Sequence, residues 1–241
     1  IGAYASNGTT ISPFTVGSQL TVSGTILKGS GLRGAINVVV DYGCAGDGIT
    51  NDTTCISNAI TAAGLSGSKV VYLPGGTYKV TGLTLTGDVE MMGDGVGKTI
   101  ISSTTNAPIL SLGPDGSFRG PYLHDLTIQG SPTAGTSQNG LVVDDGTYVY
   151  GVRVERVTST GAGKYAMYVG NAFSSSFSDI ILDNSANYLL FYNSNNMPSN
   201  RFTRIDFLNV RATGPVGARI YAGEFVCDSC NGLFNVVAAS K

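Results

Sequence analysis

Short runs of alternating apolar and polar residues fill most of this chain, and the runs repeat. Four of them begin at positions 124, 155, 178 and 203 and read HDLTIQG, ERVTSTG, SDIILDN and TRIDFLN. A second set begins at positions 165, 188 and 218 and reads YAMYVG, YLLFYN and ARIYAG. Repeats of this length that hold strand patterns but no helical period are typical of a stacked β-solenoid. Each coil then buries its apolar positions against its neighbours.

The alternation also predicts which side chains face the core. In a strand, successive side chains point to opposite faces. Once the apolar residues at one repeat position are assigned to the core, the orientation of the residues at the neighbouring repeat positions follows. The predicted inward column is Leu126, Val157, Ile180 and Ile205, followed two residues later by Ile128, Leu182 and Phe207. The predicted outward column just before it is Asp125, Arg156, Asp179 and Arg204. Its charges alternate in sign along the stack.

One helical pattern stands apart from the strands. Ile56, Ala59, Ile60 and Ala63 form a single apolar stripe, which predicts a helix over about 52–64. Asp52 or Thr53 can cap its start, and Gly64 can end it. A helix with one apolar stripe covers one surface, and we expect that surface to be the open N-terminal end of the solenoid.

These patterns divide the chain into two parts. Residues 1–35 are predicted to be a neck or lead-in segment, and residues 36–241 to be the solenoid, with coils over about 69–241. The INVVVDYG run that starts at Ile36 is predicted to be a strand. The chain begins with Ile1, and residues 231–241 resemble the start of another coil, so we expect a piece of a longer protein.

The composition narrows the possible partners. Charged residues make up 12% of the chain, there are 34 glycines, and the formal net charge is −2. Nothing in this balance favours nucleic acid or an anionic membrane surface, and no apolar run is long enough for a membrane-spanning helix. We therefore expect neutral, hydroxyl-rich partners or subunit packing, without membrane insertion.

Four cysteines raise the question of a metal site. Cys227 and Cys230 have the CxxC spacing, but a zinc site needs two more ligands and the chain has a single histidine. Cys44 and Cys55 lie far away in the sequence. We therefore expect buried or incidental thiols, no metal and no cofactor.

The residues from Ile36 to about 101 resemble a known module. Gly46-Asp47-Gly48, Asn51-Asp52-Thr53, the Ala-rich helix and the VYLPGGTYKV run are similar to the N-terminal module of the pectate-lyase-like right-handed parallel β-helix superfamily. The form is that of bacteriophage tailspikes and polysaccharide depolymerases. The resemblance implies a right-handed parallel β-helix capped by one helix, a homotrimer, and a bacterial surface polysaccharide as partner. It implies a location on the virion or outside the cell.

The resemblance does not extend to the pectin-cleaving motifs. Of the four motifs of polygalacturonase-like members, only Asp144-Asp145 has a counterpart, and His124 is not flanked by glycines. A secreted pectin-degrading enzyme is therefore the weakest of the functional interpretations.

Outward carboxylates are the candidate catalytic groups. Asp183 and Asp206 face outward on adjacent coils, at a separation that suits a glycosidase pair, and Glu155 is a third candidate. Asp179 belongs either to such a groove or to a ladder of ion pairs that holds the register.

Outward aromatic residues are the candidate substrate-binding groups. Tyr168, Phe191 and Tyr221 are predicted to stack on successive coils, with Met167, Leu190 and Ile220 pointing inward. Such a strip packs either against sugar rings or against a neighbouring subunit. The sequence therefore predicts a polysaccharide-recognising depolymerase, hydrolase or lyase, with a non-catalytic receptor-binding or structural spike as the alternative.

Overall fold

The computed structural model describes residues 34–67, 69–113, 119–143, 148–194, 200–208, 218–222, 227–231 and 234–236. The predicted neck over 1–35 lies almost wholly outside these residues. In chain order the elements are β1 (Ile36–Asn37), α1 (Val38–Tyr42), β2 (Asp47–Asn51), α2 (Thr53–Leu65), β3 (Val70–Leu73), β4 (Gly76–Lys79), β5 (Leu83–Thr86), β6 (Glu90–Gly93), β7 (Thr99–Ser102), β8 (Leu110–Gly113), β9 (Tyr122–Gln129), β10 (Leu141–Val143), β11 (Val149–Tyr150), β12 (Arg153–Thr160), β13 (Met167–Val169), β14 (Ala172–Phe173), β15 (Ser176–Asp183), β16 (Leu190–Ser194), β17 (Arg201–Leu208), β18 (Ala218–Ala222), β19 (Cys227–Asp228) and β20 (Phe234–Val236).

The strands form stacked parallel sheets. Among the described strands, sheet A runs in the order β1-β3-β6-β9-β12-β15-β17-β19, with β2, β4 and β7 beside this path. Sheet B runs β5-β8-β10-β13-β16-β18-β20, and β11 pairs with β14. The chain therefore visits sheet A and then sheet B once per coil, and the predicted parallel β-helix is confirmed.

The strand register confirms the repeat alignment. Val157 pairs with Leu126 and with Ile180, and Ile180 pairs with Ile205. All four side chains are buried, as are Ile128 and Leu182, while the side chain of Phe207 lies outside the description. Apolar side chains thus stack along the helix axis, and Phe177 and Phe202 lie in register with ring centroids 4.7 Å apart.

The four long strands of sheet A share a bend that the sequence pattern does not reveal. The φ angles are 59° at Asp125, 51° at Arg156, 55° at Asp179 and 51° at Arg204, all in the left-handed region. The bend interrupts the alternation, so two consecutive side chains face outward at each bend. Glu155 and Arg156, for example, lie between buried Val154 and buried Val157.

The N-terminal end differs in part from the prediction. The strand expected from Ile36 stops at Asn37, and Val38–Tyr42 form the one-turn helix α1. The cause is the side chain of Asn37, whose Oδ1 accepts hydrogen bonds from the backbone N–H groups of Val39 and Val40. Helix α2 runs from Thr53 past Gly64 to Leu65, and it packs against α1 and β5. Its buried residues are those of the predicted apolar stripe.

The Gly/Asp/Asn loop before α2 is held together by one carboxylate. Asp52 is 1% exposed and accepts the N–H groups of Ala45 at 2.7 Å and Gly46 at 3.0 Å, so it organises the loop and makes no side-chain cap bond to the helix. The loop in turn closes over Tyr78, which is fully buried. Burial raises the pKa of the Tyr78 phenol to about 12, with smaller contributions from nearby Asp52, Tyr72 and Asp94.

The cysteines are paired. Cys44 forms a disulfide with Cys55, and Cys227 forms one with Cys230. The expectation of buried or incidental thiols is wrong for Cys44 and Cys55, because helix α2 brings Cys55 back to the loop that holds Cys44. Across the described part of the chain, no helix is long and apolar enough to span a membrane.

Candidate functional site

The charged column predicted from the sequence forms ion pairs between coils. Arg156 donates to both carboxylate oxygens of Asp125 at 2.6 and 2.8 Å, and Arg204 donates to both oxygens of Asp179 at 2.5 and 2.6 Å. The Arg204 guanidinium holds the pKa of Asp179 below its usual range. Asp179 is therefore an ionised partner in the ladder, which is poorly suited to donating a proton.

Glu155 is also engaged by neighbours. Its Oε2 accepts from the hydroxyl of Tyr122 at 2.9 Å and from Nη1 of Arg156 at 3.1 Å. Burial, followed by this hydrogen bond to Glu155, raises the pKa of the Tyr122 phenol. Glu155 thus fixes the position of Tyr122, and Tyr122 is a hydrogen-bond donor at neutral pH.

Asp183 and Asp206 lie on the same outward face of neighbouring strands. Asp206 pairs in register with Ile181, so the two aspartates are offset by two residues along the strand. Their Cα atoms are then roughly 8 Å apart, from strand spacings of about 4.8 Å and a rise of about 3.3 Å per residue. Asp183 accepts from the Thr160 hydroxyl, and Asp206 from the Asn231 amide, each at 3.0 Å. Asp144 and Asp145 lie outside the described residues.

Four aromatic side chains gather on the outer face of sheet B and the turns that enter it. We call Tyr165, Tyr168, Tyr188 and Phe191 the aromatic platform. Tyr168 and Phe191 are in register, with ring centroids 5.6 Å apart and planes 12° apart. The ring of Tyr165 stacks on that of Phe191, with centroids 4.8 Å apart. The ring of Tyr188 is tilted relative to that of Tyr165, with centroids 6.0 Å apart. The Nζ atom of Lys164 lies 4.8 Å from the Tyr165 centroid.

The predicted third member of this strip is displaced. In the register of β16 and β18, Phe191 pairs with Arg219, and Tyr221 pairs with Asn193. The sequence alignment placed Ile220 beside Leu190, whereas Leu190 pairs with Ala218. Tyr221 is therefore two residues further along the strand than expected, and its side chain lies outside the description. Tyr165 is buried, with 9% of its surface exposed, and Tyr188 is half-buried, and both rings pack against Phe191.

A second polar cluster was missed at the sequence level. His124 is 7% exposed and has a carboxylate at each ring nitrogen: Glu90 Oε1 lies 3.1 Å from Nε2, and Asp125 Oδ2 lies 2.6 Å from Nδ1. The centroid of its ring lies 4.3 Å from that of the Tyr122 ring, and the two rings stack. The Cζ atom of Arg153 lies 4.3 Å from the centroid of the same Tyr122 ring. The available signal was that the chain's single histidine precedes Asp125 in the charged column.

This cluster borders a groove on the outside of sheet A. The groove has a volume of about 420 Å³. Its lining consists of Lys69, Asp88, Glu90, Arg119, Gly120, Tyr122, Gly151 and Arg153. It therefore combines cationic, anionic and aromatic side chains from successive coils, which gives both donors and acceptors to a polar ligand.

Comparison with known proteins agrees with this architecture. Residues 35–115 match the family model described as rhamnogalacturonase A/epimerase, pectate lyase-like. Alginate lyase 7 of Azotobacter vinelandii is 34% identical over 146 residues, which cover 53% of this chain and 17% of the relative. The chain thus spans less than a fifth of the length of that curated relative.

Solved structures share the fold over most of the chain. The A-module of mannuronan C-5 epimerase AlgE6 from Azotobacter vinelandii superimposes with a TM-score of 0.66 at 24% identity, covering 84% of this chain and 55% of the module. The Dettilon tailspike protein gp208 gives a TM-score of 0.57 at 12% identity, covering 80% of this chain and 45% of the tailspike. The chain therefore carries a pectate-lyase-like domain over residues 35–115, within a parallel β-helix whose structural neighbours include tailspike and epimerase proteins.

Proposed function

We propose that this chain is the β-helix part of a phage tailspike-type protein that recognises bacterial surface polysaccharide and depolymerises it. The observation that carries the proposal is the aromatic platform. Half-buried Tyr168 and Phe191 stand in register on neighbouring coils, with Tyr165 and Tyr188 packed beside them. A run of aligned, outward-facing rings is the surface on which the apolar faces of successive sugar rings pack.

The polar surroundings suit a glycan better than an apolar partner. The Nζ atom of Lys164 lies 4.8 Å from the centroid of the Tyr165 ring, at the edge of the platform. A cationic donor beside aromatic faces binds sugar hydroxyls and acidic substituents, whereas an apolar partner would leave this charge unpaired. The low share of charged residues in the chain, 12%, is compatible with a neutral, hydroxyl-rich ligand.

The names of the relatives support a polysaccharide substrate. The curated relative is named as an alginate lyase, and a structural neighbour as a mannuronan epimerase. The tailspike neighbour supports a role on a phage tail and, with it, a homotrimeric assembly outside the cell. The role on a phage tail and the trimeric assembly are more specific than polysaccharide binding, and both rest on the likeness to the tailspike.

For cleavage, the best candidate pair is Asp183 and Asp206. The two carboxylates face the same side of neighbouring strands with Cα atoms roughly 8 Å apart, and from there their carboxyl groups can reach the separation of about 6.5–9.5 Å that inverting glycosidases use. One would donate a proton to the leaving oxygen, and the other would activate water on the opposite side of the sugar.

A non-catalytic receptor-binding spike is the second candidate, and one observation favours it. Two of the four candidate carboxylates, Asp179 and Glu155, are already engaged by arginine or tyrosine side chains. An ion-paired carboxylate is a poor general acid, because the pair stabilises its charged form.

The test is an assay of cleavage and binding on the same polysaccharide. The full chain is incubated with capsular polysaccharide from candidate host bacteria, and reducing ends are followed together with the ultraviolet absorbance of unsaturated sugars. New reducing ends without absorbance identify a hydrolase. In that case Asp183→Asn and Asp206→Asn should each lower the rate by about 100-fold or more, whereas Asp228→Asn, on an exposed aspartate of sheet A, should not.

The other outcomes are equally informative. A parallel rise in absorbance identifies a lyase and makes Arg156 and Arg204 the next residues to replace. Retention of the glycan without cleavage identifies the binding spike. A chain that neither cleaves nor retains any of the polysaccharides contradicts the proposal.

A further inference from the structure

We infer that the outer face of the long sheet A strands, in the half that follows the bend, binds an uncharged glycan chain that lies along the β-helix axis and leads to Asp183 and Asp206. The inference deepens the proposed function and rests on its recognition of polysaccharide. It names the residues that hold the chain beside the candidate cleavage pair. These residues belong to sheet A, whereas the aromatic platform lies on sheet B and the turns that enter it.

One repeat position on this face carries polar side chains on five successive coils, and we call it the polar column. In strand register, Lys79 pairs with Ser102, Ser102 with Gln129, Gln129 with Thr160, and Thr160 with Asp183. All five side chains are at least partly exposed. Because neighbouring strands lie about 4.8 Å apart, the column extends for about 19 Å along the β-helix axis.

The first three members of the polar column line a groove of about 320 Å³. The rest of its lining consists of threonine, serine and glycine residues, so Lys79 is the one charged residue of this groove. Its volume is at the lower end of the usual range of small-ligand sites. Gln129 lies two strands from Asp183, which is about 10 Å along the axis. A chain bound in the groove therefore reaches the candidate pair within two coils.

The groove members of the polar column have hydrogen-bonding groups that the protein does not use. Within the described part of the chain, the side chains of Lys79, Ser102 and Gln129 form no hydrogen bond and no ion pair. The charged column at the bend differs in this respect, because its members bind one another between coils. An ammonium, a hydroxyl and an amide in one line offer both donors and acceptors to a ligand.

The spacing of the coils favours a chain that runs along the axis. Each coil advances by about 4.8 Å, close to the length of one pyranose unit, so such a chain meets the polar column about once per sugar. The neighbouring outward position includes half-buried Ile100 and Ile181. Their methyl groups can pack against the C–H faces of the sugar rings while the hydroxyls at the rim reach the polar column.

The charges on this face favour an uncharged chain. Lys79 lies at the opposite end of the polar column from Asp183, and Asp206 adds a second carboxylate on the next coil. A polymer with a carboxylate on every sugar would bring its own charges toward two aspartates, and like charges repel. Sugar hydroxyls both donate and accept, so they match the amide, hydroxyl and carboxylate groups of the column.

The test measures retention of the full chain on a panel of purified bacterial capsular polysaccharides, some uncharged and some bearing uronates. Uncharged members should be retained, and soluble polymannuronate in excess should not displace the protein from them. Gln129→Ala and Lys79→Met should each weaken binding of the retained polysaccharide by about fivefold or more, because each removes hydrogen bonds to the chain. Retention of uronate-bearing members alone would overturn the inference.

Lys98→Met is the matched control for charge. Lys98 is exposed like Lys79 but lies in the turn before β7, outside the polar column. Its replacement should leave binding unchanged, and equal losses in the two lysine variants would overturn the inference by showing attraction to overall charge. The midpoint of urea denaturation should be the same in all variants, because Lys79, Lys98 and Gln129 are exposed.

Three outcomes separate this inference from the proposed function. If the wild type retains a polysaccharide that both column variants bind as tightly, while Phe191→Ala loses it, the chain lies on the platform and the inference alone fails. If the column variants lose affinity and Phe191→Ala keeps it, the inference stands and the platform is not part of the glycan site. If the wild type retains and cleaves no member of the panel, the proposed function fails and the inference fails with it.

Discussion

Asp125 shows at the scale of one residue how the charged column works. Hydrogen bonds from Arg156, the largest contribution, and from His124 lower the pKa of its carboxyl to about 2, against a reference value of 3.8. A carboxyl with a lowered pKa in the folded state stabilises the fold above its unfolded pKa and loses that contribution as the pH falls. Partial exposure of both partners limits the gain to about 0.5–1 kcal/mol.

Replacing Asp125 tests this linkage. Asp125→Asn should lower the free energy of unfolding by about 0.5–1 kcal/mol at pH 7, and the difference from wild type should shrink as the pH falls from about 4 to about 2. Asparagine also tolerates the left-handed backbone at this position, so the comparison isolates the charge. Urea denaturation at several pH values measures it. The Asp228→Asn variant, on an exposed carboxylate, serves as the control, and a constant difference at all pH values would contradict the prediction.

The sequence identified some of these residues and could not identify others. The alternating charges of Asp125, Arg156, Asp179 and Arg204 are visible because they occupy one repeat position, and the structure pairs them. The site around His124 is not visible in the same way, because its partner Glu90 is 34 residues earlier and lies in a strand of different length. Contacts across coils follow from register, and register is weakly encoded where the repeat spacing varies.

The bend within the long strands is the feature that matters most at the scale of the element. Asp125, Arg156, Asp179 and Arg204 all adopt a left-handed backbone conformation, which costs an ordinary residue about 1 kcal/mol or more. The repetition of the bend in four successive coils keeps the coils in register and turns two neighbouring side chains outward. That geometry is what allows Glu155 and Arg156 to contact the same Tyr122–His124 stack.

A pair of substitutions separates the backbone contribution of the bend from its charge. Arg204→Val and Arg204→Asn both remove the ion pair with Asp179, but a β-branched residue is strongly disfavoured in the left-handed region. The valine variant should therefore be less stable than the asparagine variant by about 1–2 kcal/mol in urea denaturation.

The neighbouring position provides the control for this comparison. Thr203 lies in ladder register with Ser178 and Asp228, in extended backbone, where a β-branched residue is favoured. The order should reverse there, with Thr203→Val at least as stable as Thr203→Asn. The same order at both positions would show that the bend imposes no conformational demand.

At the scale of the element, apolar columns were easier to predict than short polar segments. The column through Leu126 and Val157 and the stripe on α2 follow from periodicity alone. The run from Ile36 reads as a strand, but Asn37 caps a helical turn because its side chain accepts the N–H groups of Val39 and Val40. Two hydrogen bonds to one side chain therefore outweighed the β-propensity of three valines.

At the scale of the whole molecule, the described residues form two outward surfaces with different chemistry. A change in the oligomeric state of a variant therefore has to be assigned to one surface or the other. Sheet B carries the aromatic platform, and sheet A carries the charged groove. A strip of aromatic rings can pack either against sugar rings or against a neighbouring subunit, and the sequence is compatible with both. The charged column of sheet A contributes little to this choice, since its side chains pair with one another within the chain.

A single substitution distinguishes the two roles of the platform. If the platform binds glycan, Phe191→Ser should weaken polysaccharide binding by about tenfold or more, because stacking and burial on an aromatic ring are lost, and the mass measured by sedimentation should not change. If the platform is a subunit interface, the same variant should fall from the proposed trimer to smaller species, because a polar hydroxyl would replace a buried ring at each contact. We expect the first result, since the Nζ atom of Lys164 lies 4.8 Å from the centroid of the Tyr165 ring, and a trimer axis through the platform would bring three copies of that cation close together. Arg201→Ala on sheet A provides the control for both measurements, and loss of the assembly in the Phe191 variant would contradict the expected result.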